Sequence, residues 1–421
     1  MKAIVLSVGD ELVLGQTVDT NSAWISAQLS AVGIDIHSHA TVGDSQADIE
    51  AALRDAIPRA DAVIVSGGIG PTDDDVTRQS LAAVMGVPLS IDEGWLAHIR
   101  SWFERLGRTM PETNRVQAMI PRGATMIWNH LGTAAGVAAT VQGKPVFLVP
   151  GVPKEMKGMF TRDVLPALVG TAGGRAIVQR LIHTFGVGES AVAERLGDLM
   201  KRGRNPSVGT TVSGGSVSVR INSRFDSKEE AIRQAADTFS LVRGALGDLI
   251  YGEDGGSIAL AVMSLMKNRP AGEKPMTVAT AESCTGGLLA KYLTDEPGSS
   301  THFECAWVTY SNESKTKELG VDAKLIESKG AVSEEVAVAM AVGAHRQSDA
   351  SYALSITGIA GPDGGSDEKP VGTVCIALAA DDGVQVRTFR FPGDREMVRD
   401  RSAKTALTML RFKLMGKPLP F

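Results

Sequence analysis

An α/β protein of more than one domain is the fold class this chain predicts, and three observations carry the expectation. Short apolar strand-like runs alternate with helix-period segments in the first and last parts of the sequence, the pattern of parallel sheets with crossover helices. At 421 residues the chain exceeds what one hydrophobic core ordinarily organises. From about Ala176 the alternation gives way to strand runs joined by a glycine turn and followed by a long helical segment. The expected plan is a parallel-sheet domain over 1–170, a small α+β connecting module over 171–253, and a second α/β domain over 254–421.

In chain order, Ala3 to Val8 reads as a buried strand, followed by Gly9-Asp10-Glu11-Leu12 and the polar loop Gln16 to Asn21. Ile25, Leu29 and Val32 recur at helical spacing, and Gly33 stands where a helix would stop. Ile34 to Ile36 restarts a strand, Ile49 to Ala56 a helix, and Ala62 to Val65 a second buried strand. Leu81, Val84 and Met85 mark the next helix, and Val146 to Val149 a strand leading into a proline and glycine loop. In the middle module, Val178 to Phe185 and Val217 to Phe225 are strand-like, Gly214-Gly215 a hairpin turn, and Glu229 to Leu241 helical. Tyr251 to Gly256 reads as a loop, with Ser257 placed to cap the helix of Ile258, Val262 and Leu265. Residues 271–275 break that helix before the strand at Met276 to Thr280. Later strands are expected at Ala306 to Tyr310, Tyr352 to Thr357, Val371 to Ala379 and Val384 to Phe391, with helices after Ser333 and through Leu407, Leu410 and Leu414.

Composition narrows the class. Hydrophobic content of 43% and charged content of 22% are ordinary for a globular protein. A net charge of −5 argues against a nucleic-acid-binding surface as the main business, so no direct nucleic-acid partner is expected. Cys284, Cys305 and Cys375 form neither a zinc spacing nor a disulfide framework. No apolar run reaches the roughly 18 residues of a membrane helix, and Met1 to Leu6 runs straight into a strand. The expected setting is the cytoplasm, with no membrane partner.

Two stretches carry candidate chemistry. Ala281-Glu282-Ser283-Cys284-Thr285-Gly286-Gly287 lies between a strand and the helix-like run Leu288 to Leu293. That places a serine at a sharp turn, with the amides of Thr285, Gly286 and Gly287 available for an oxyanion or a phosphate. Neither the nucleophile-elbow nor the Walker spacing is met, so reactive centre and phosphate cradle both stand at this point. Cys284 is the rival nucleophile, since a thiolate at a helix N-terminus is stabilised. The second stretch is Ser66-Gly67-Gly68-Ile69-Gly70-Pro71-Thr72-Asp73-Asp74-Asp75-Val76-Thr77, at the end of a strand. Ligands of open α/β sheets sit at such ends. Its glycines admit close approach, and its aspartates read as acidic residues in a first helical turn or as oxygen ligands for a divalent cation.

The blocks AESCTGG, PGSS, VTYSNESK, GAVSEEVA, TGIAGPDGG, KPVGTV and FPGDR, in this order across Ser257 to Leu414, resemble the CinA C-terminal domain. The blocks GDELVLGQTVDTN, SGGIGPTDDDVT and VPGVPKEM resemble the CinA N-terminal domain, which is similar to the molybdopterin-binding fold of MoaB and MogA. For the last domain the resemblance implies a nicotinamide mononucleotide deamidase of the PncC type, needing no cofactor. For the first it implies ADP-ribose pyrophosphatase activity that requires a divalent metal (magnesium, manganese or cobalt) and is helped by potassium. It also implies a homodimer. One block departs from the pattern: Ala135 stands where the family's GTAPG has proline.

The residues follow from the matching blocks. Ser283 is the implied nucleophile, with Tyr310 and Lys315 as its partners. A serine hydroxyl is a weak nucleophile, and a lysine whose pKa is lowered by burial can take its proton. Tyr310 is expected to relay that proton or orient the lysine. Arg395 and Arg399, with Ser299 and Ser300, are the candidates for the substrate phosphate, and Thr357, Gly358 and Ala360 for the ribose or ring. In the first domain, Asp10, Glu11, Asp74 and Asp75 are the expected metal set, with Gly67, Gly68, Gly70, Thr77 and Lys154 around a diphosphate. Two other classes compete: a non-catalytic nucleotide- or molybdopterin-binding scaffold linked to competence or DNA damage, and an adenylyltransferase acting on molybdopterin.

Overall fold

A computed structural model of the chain describes residues 1–169, 176–267 and 274–421. The expected first domain boundary at 170 and the break at 271–273 lie outside the described residues. The chain divides into two compact units, one of residues 1–178 with 223–234, the other of 179–222 with 235–421.

The first unit is built on a six-stranded sheet in the order β2-β1-β3-β8-β7-β6. Its strands are β1 (Lys2–Val8), β2 (Asp35–Val42), β3 (Ala62–Ser66), β6 (Thr125–Ile127), β7 (Gly136–Val141) and β8 (Lys144–Val149); β4 (Leu89–Ile91) and β5 (Met119–Pro121) form a separate ribbon. β2, β1, β3 and β8 run parallel, and β7 and β6 extend the sheet antiparallel. Strand alternation explains the continuous apolar runs. Ile4, Leu6, Val63 and Val65 face the helix Gln46–Arg59, while Ala3, Val5 and Ile64 face the helices Thr20–Ala31 and Pro153–Met159. A strand covered on both faces has no solvent side to make polar. Residues 10–13 form a short helix. One reading needs correction. The aspartates 73–75 precede the helix Thr77–Met85 instead of occupying its first turn, because Asp75 ties its own loop.

A four-stranded sheet, most of whose residues belong to the second unit, is formed by β9 (Ala176–Thr184), β10 (Ser207–Ser213), β11 (Ser216–Phe225) and β12 (Ile250–Glu253) in the order β10-β11-β9-β12. Gly214 and Gly215, at φ of 53° and 75°, turn the β10–β11 hairpin, a conformation for which a Cβ carries a penalty. The run from Tyr251, read as a loop, starts inside strand β12. Its glycine masked it, yet it pairs with β9 and Tyr251 packs on the core.

The last sheet is five-stranded, in the order β14-β13-β15-β16-β17. The strands are β13 (Val278–Glu282), β14 (Phe303–Val308), β15 (Tyr352–Gly358), β16 (Thr373–Ala380) and β17 (Gly383–Arg390). β13 alternates between two cores. Val278 meets the side carrying the helices Ile258–Met266 and Arg395–Leu414, while Ala279 and Ala281 meet the helix Glu334–Ser348. β14, β13 and β15 are parallel, so their carboxyl ends, Val308, Glu282 and Gly358, lie side by side.

Candidate functional site

At that edge the chain leaves β13 into the glycine turn and leaves β14 into the helix Asn312–Leu319. Ser311 caps this helix, accepting from the Ser314 amide at 3.1 Å. Lys315, one turn in, is thereby driven inward and is 1% exposed; Ser283 is 8% exposed. The Lys315 Nζ lies 3.1 Å from the Ser283 Oγ, 2.9 Å from the Thr309 carbonyl and 3.4 Å from that of Tyr310. Burial pushes the lysine below its ordinary range, partly offset by the Cys284 thiol and by Glu313. A neutral amine here directs two N–H groups at two carbonyls and its lone pair at the serine hydroxyl. Residues 283 and 315, far apart in sequence, are brought together.

The turn differs from expectation. The Gly286 amide donates to the Ser283 carbonyl at 3.0 Å, and the Gly287 amide to the Glu282 carboxylate at 3.0 Å. Glu282, with no exposed surface, also accepts from Leu289 and Ala290 at 3.0 and 2.8 Å. The helix N-terminus attracts negative charge, and the protein supplies that charge itself. Gly286 and Gly287 therefore have no amide left for an oxyanion or a phosphate. The Thr285 amide is not committed in this way, whereas the Thr285 carbonyl accepts from Arg399 at 2.7 Å.

Tyr310 meets Lys315 through its backbone and not its hydroxyl. The side chain is 59% exposed, and its hydroxyl accepts from Arg395 at 2.8 Å. Arg395 also donates to the Gly361 carbonyl at 2.7 Å, bridging two loops at the mouth of the site. Arg399, expected on phosphate, holds the nucleophile turn instead. Ser299 and Ser300 are not brought to the site. The helix Leu288–Thr294 carries the chain back, so both precede β14 at the opposite edge of the sheet. Thr357 is buried and donates to the Ala331 carbonyl at 2.8 Å; Ala360 is in the core; Gly358 packs against Val374. Of these three, only Gly358 retains surface at the strand end. Cys284 is buried, and desolvation pushes its thiol up to about 12. Glu282 was missed although it sits beside the serine; its signal was a carboxylate at an inward strand position just ahead of a helix.

In the first unit, the loops after β1, β3 and β8 also meet at strand ends. Asn21 donates to the Ser66 hydroxyl at 3.1 Å and to the Gly151 carbonyl at 2.7 Å. Gly67 and Gly68 have φ of 109° and 64°, and a Cβ on them would strike the Val8 carbonyl and the Thr77 side chain respectively. The Thr77 hydroxyl donates to the Gly67 carbonyl at 3.1 Å, so it holds the loop from within. Asp75 accepts from the Gly70 and Thr72 amides at 2.7 and 2.9 Å, which withdraws it from the expected metal set. Gly70 makes room for that carboxylate. Arg78 is fully buried, pulled down to about 10 by desolvation, and donates to the Ile69 carbonyl at 2.6 Å and that of Ala135 at 3.3 Å. The Ala135 position thus contributes a carbonyl, which alanine supplies as well as proline. Asp10 and Asp44 exchange amide-to-carboxylate hydrogen bonds of 2.9 and 3.1 Å. Asp44 is raised by burial first, then by Asp10, Asp74 and Glu11 after an opposing amide bond. These carboxylates gather, yet among the described residues no three acidic, histidine or cysteine side chains form a ready metal cage. Lys154 lies exposed in the first turn of its helix.

Comparison with known proteins covers the same regions. Residues 4–170 match the family model described as "Probable molybdopterin binding domain", 179–252 that of the "Damage-inducible protein CinA KH domain", and 262–414 that of the "CinA C-terminal domain". A CinA-like protein of Geobacter sulfurreducens is 43% identical over 416 residues, 99% of this chain and 100% of that one. A CinA-like protein of Desulfovibrio desulfuricans is 42% identical over 426 residues, 100% of this chain and 97% of that one. Among solved structures, the competence/damage inducible protein CihA from Agrobacterium tumefaciens is 42% identical over 38% of this chain and 96% of that chain, with a TM-score of 0.35.

Proposed function

The chain belongs to the CinA family, and from that premise we propose that its last domain hydrolyses the carboxamide of nicotinamide mononucleotide to nicotinate mononucleotide and ammonia. The observation that carries the reading is the buried contact of 3.1 Å between the Lys315 amine and the Ser283 hydroxyl. In the first step Oγ of Ser283 bonds to the amide carbon while its proton passes to Nζ of neutral Lys315. The C–N bond then breaks, and the proton on Lys315 leaves with ammonia. Water attacks the resulting ester, giving a proton to Lys315, and the departing Ser283 oxygen takes it back. The Thr285 amide is the donor proposed for the oxyanion; one such donor is ordinarily worth ~10²–10³ in rate. Arg395, whose guanidinium bridges the Gly361 carbonyl and the Tyr310 hydroxyl at the mouth, is the residue proposed to meet the substrate.

The test is ammonia release by the purified full-length protein from the mononucleotide, without metal. Turnover by the wild type and its loss in Ser283→Ala is the expected pair of results. Full activity in the serine variant would sink the reading.

A second reading concerns the first domain: hydrolysis of ADP-ribose with a divalent cation. The gathering of Asp10, Glu11, Asp44 and Asp74 favours it: burial chiefly, and these neighbouring carboxylates in lesser part, raise Asp44, and a cation would offset their combined charge. A magnesium-type ion needs only one or two of these carboxylates, the diphosphate and water supplying its remaining ligands. Such an ion would polarise phosphorus, while Gly67, Gly68 and Thr77 shape the loop beside it. Release of AMP from ADP-ribose that disappears on chelation supports this assignment. Tight nucleotide or molybdopterin binding without turnover points to the scaffold class, and adenylyl transfer to molybdopterin points to the transferase.

A further inference from the structure

Away from Ser283, the second unit contains a cavity of about 300 Å³ that the deamidase reading leaves unused. The β9 end, the β10–β11 hairpin, the end of β17 and the helix Arg395–Leu414 all contribute to it. Its walls are chiefly apolar, with Phe185, Val212, Val217, Phe389, Phe391 and Phe421 among them. Phe389 lies parallel to Phe391 at 5.5 Å and edge-on to Phe421 at 5.4 Å, so aromatic faces and edges line the same space. One cation, Arg401, opens onto it. The Nε of Arg401 is buried and has no hydrogen-bond acceptor. Glycine at 215 makes room for this guanidinium: a Cβ there would come within 3.2 Å of the Arg401 side chain.

Two carboxylates near Arg401 have partners of their own. Asp400, its neighbour on the helix, pairs with Lys404 at 2.8 Å and accepts from the Tyr292 hydroxyl. Glu189 also lines the cavity, but accepts from the Thr210 hydroxyl at 2.7 Å. A buried donor without an acceptor is costly, and a ligand oxygen would remove that cost. The volume is at the lower end of small-molecule sites and suits a single ring with a short substituent. Glu189 on the same wall disfavours a second negative charge. We propose that this cavity binds a small aromatic monocarboxylate, its ring among the phenylalanines and its carboxylate on Arg401.

Titration calorimetry of the full-length protein with benzoate tests the site. Benzamide serves as the neutral isostere, acetate as the acid without a ring, and phthalate as the dianion. Benzoate should bind at least tenfold more tightly than any of the three. Arg401→Gln should weaken benzoate at least tenfold. Val212→Trp should block it as well, and this variant changes a half-exposed side chain whose replacement leaves the core intact. Arg395→Ala should leave benzoate unaffected, which separates this cavity from the Ser283 site. No benzoate binding, equal binding of benzamide, or full binding by folded Val212→Trp would overturn the proposal, as would loss of binding in Arg395→Ala.

Discussion

The two candidate sites occupy equivalent places, the carboxyl ends of parallel strands, yet they are finished in opposite ways. In the last domain Lys315 and Ser283 are buried against each other and the adjoining amides are satisfied by Glu282. In the first domain Asp10, Glu11, Asp73 and Asp74 are exposed; Asp75 is tied into its own loop by two amides, and Asp10 accepts from the Asp44 amide. The contrast follows from the chemistry each arrangement can support. Activating a hydroxyl with an amine requires desolvation, because water would keep the amine charged. Holding a metal diphosphate requires the reverse: accessible carboxylates and room for water and phosphate oxygens.

The largest effects should separate the sites completely. Ser283→Ala and Lys315→Met are each expected to lower ammonia release by ~10³ or more while leaving ADP-ribose cleavage unchanged. Asp74→Ala should do the converse. Measuring both products in all three variants breaks the comparison if any one variant loses both activities while still folded. Next comes Glu282→Ala, which strands the buried amides of Gly287, Leu289 and Ala290. A loss of about 3 kcal/mol or more is expected in urea unfolding, because each buried unsatisfied group costs about 1–3 kcal/mol. A variant as stable as the wild type would mean that water can reach those amides.

The pH dependence sharpens the point about burial. Lys315 must be neutral to act as base, and its pKa is depressed by desolvation. Deamidase kcat/KM should therefore rise with pH through an apparent pKa below the ordinary lysine value. The stability effect has the matching sign. With the folded pKa below the unfolded one, the penalty of a buried charge is fully present below the folded value and disappears as pH rises towards the unfolded value. Relative to Lys315→Met, which abolishes activity and leaves the Thr309 carbonyl without its donor at every pH, the wild type should therefore gain stability as pH rises from the folded towards the ordinary lysine value; a difference in melting temperature that does not change with pH would mean the ammonium is well solvated. In the first domain the corresponding strain is in the backbone. Gly68→Ala, at a φ of 64° and against Thr77, should cost about 1–3 kcal/mol and impair only ADP-ribose cleavage.

How much of this was legible in the sequence depends on the kind of interaction. Strands such as Ala62–Ser66 were readable because burial on both faces leaves an uninterrupted apolar run. Ser283 and Lys315 were readable as members of matching blocks, and the structure places them in contact. Glu282 was not, since a carboxylate looks solvent-seeking until the helix amides it serves are seen in space. Ser299 and Ser300 were misplaced for a related reason: a nearby position in sequence says nothing about which edge of the sheet the chain has returned to. Arg399 and the Tyr310 hydroxyl lie in the expected neighbourhood, each with a protein partner the sequence did not indicate. Long side chains reach several acceptors, and only folded geometry selects among Thr285, Arg395 and a substrate.

The smallest expected effect tests whether burial selects the serine over its neighbour. Cys284 adjoins Ser283 and lies at the same turn, so sequence alone leaves both as nucleophiles. The structure distinguishes them by environment. The thiol is buried in the same core cluster as Leu289 and Ile356, and desolvation pushes its pKa up to about 12. Glu282 raises it further, while Lys315 and Arg395 lower it too little to compensate. A thiol in that state supplies almost no thiolate at neutral pH, and the thiolate is the reactive form. Cys284→Ala should thus keep deamidase turnover within about threefold of wild type and cost at most about 1–2 kcal/mol from lost packing. Alkylating reagents should inactivate the wild type slowly. A drop in turnover matching that of Ser283→Ala, in a folded Cys284→Ala protein, would transfer the nucleophile to sulfur and leave the Lys315–Ser283 contact as a structural one.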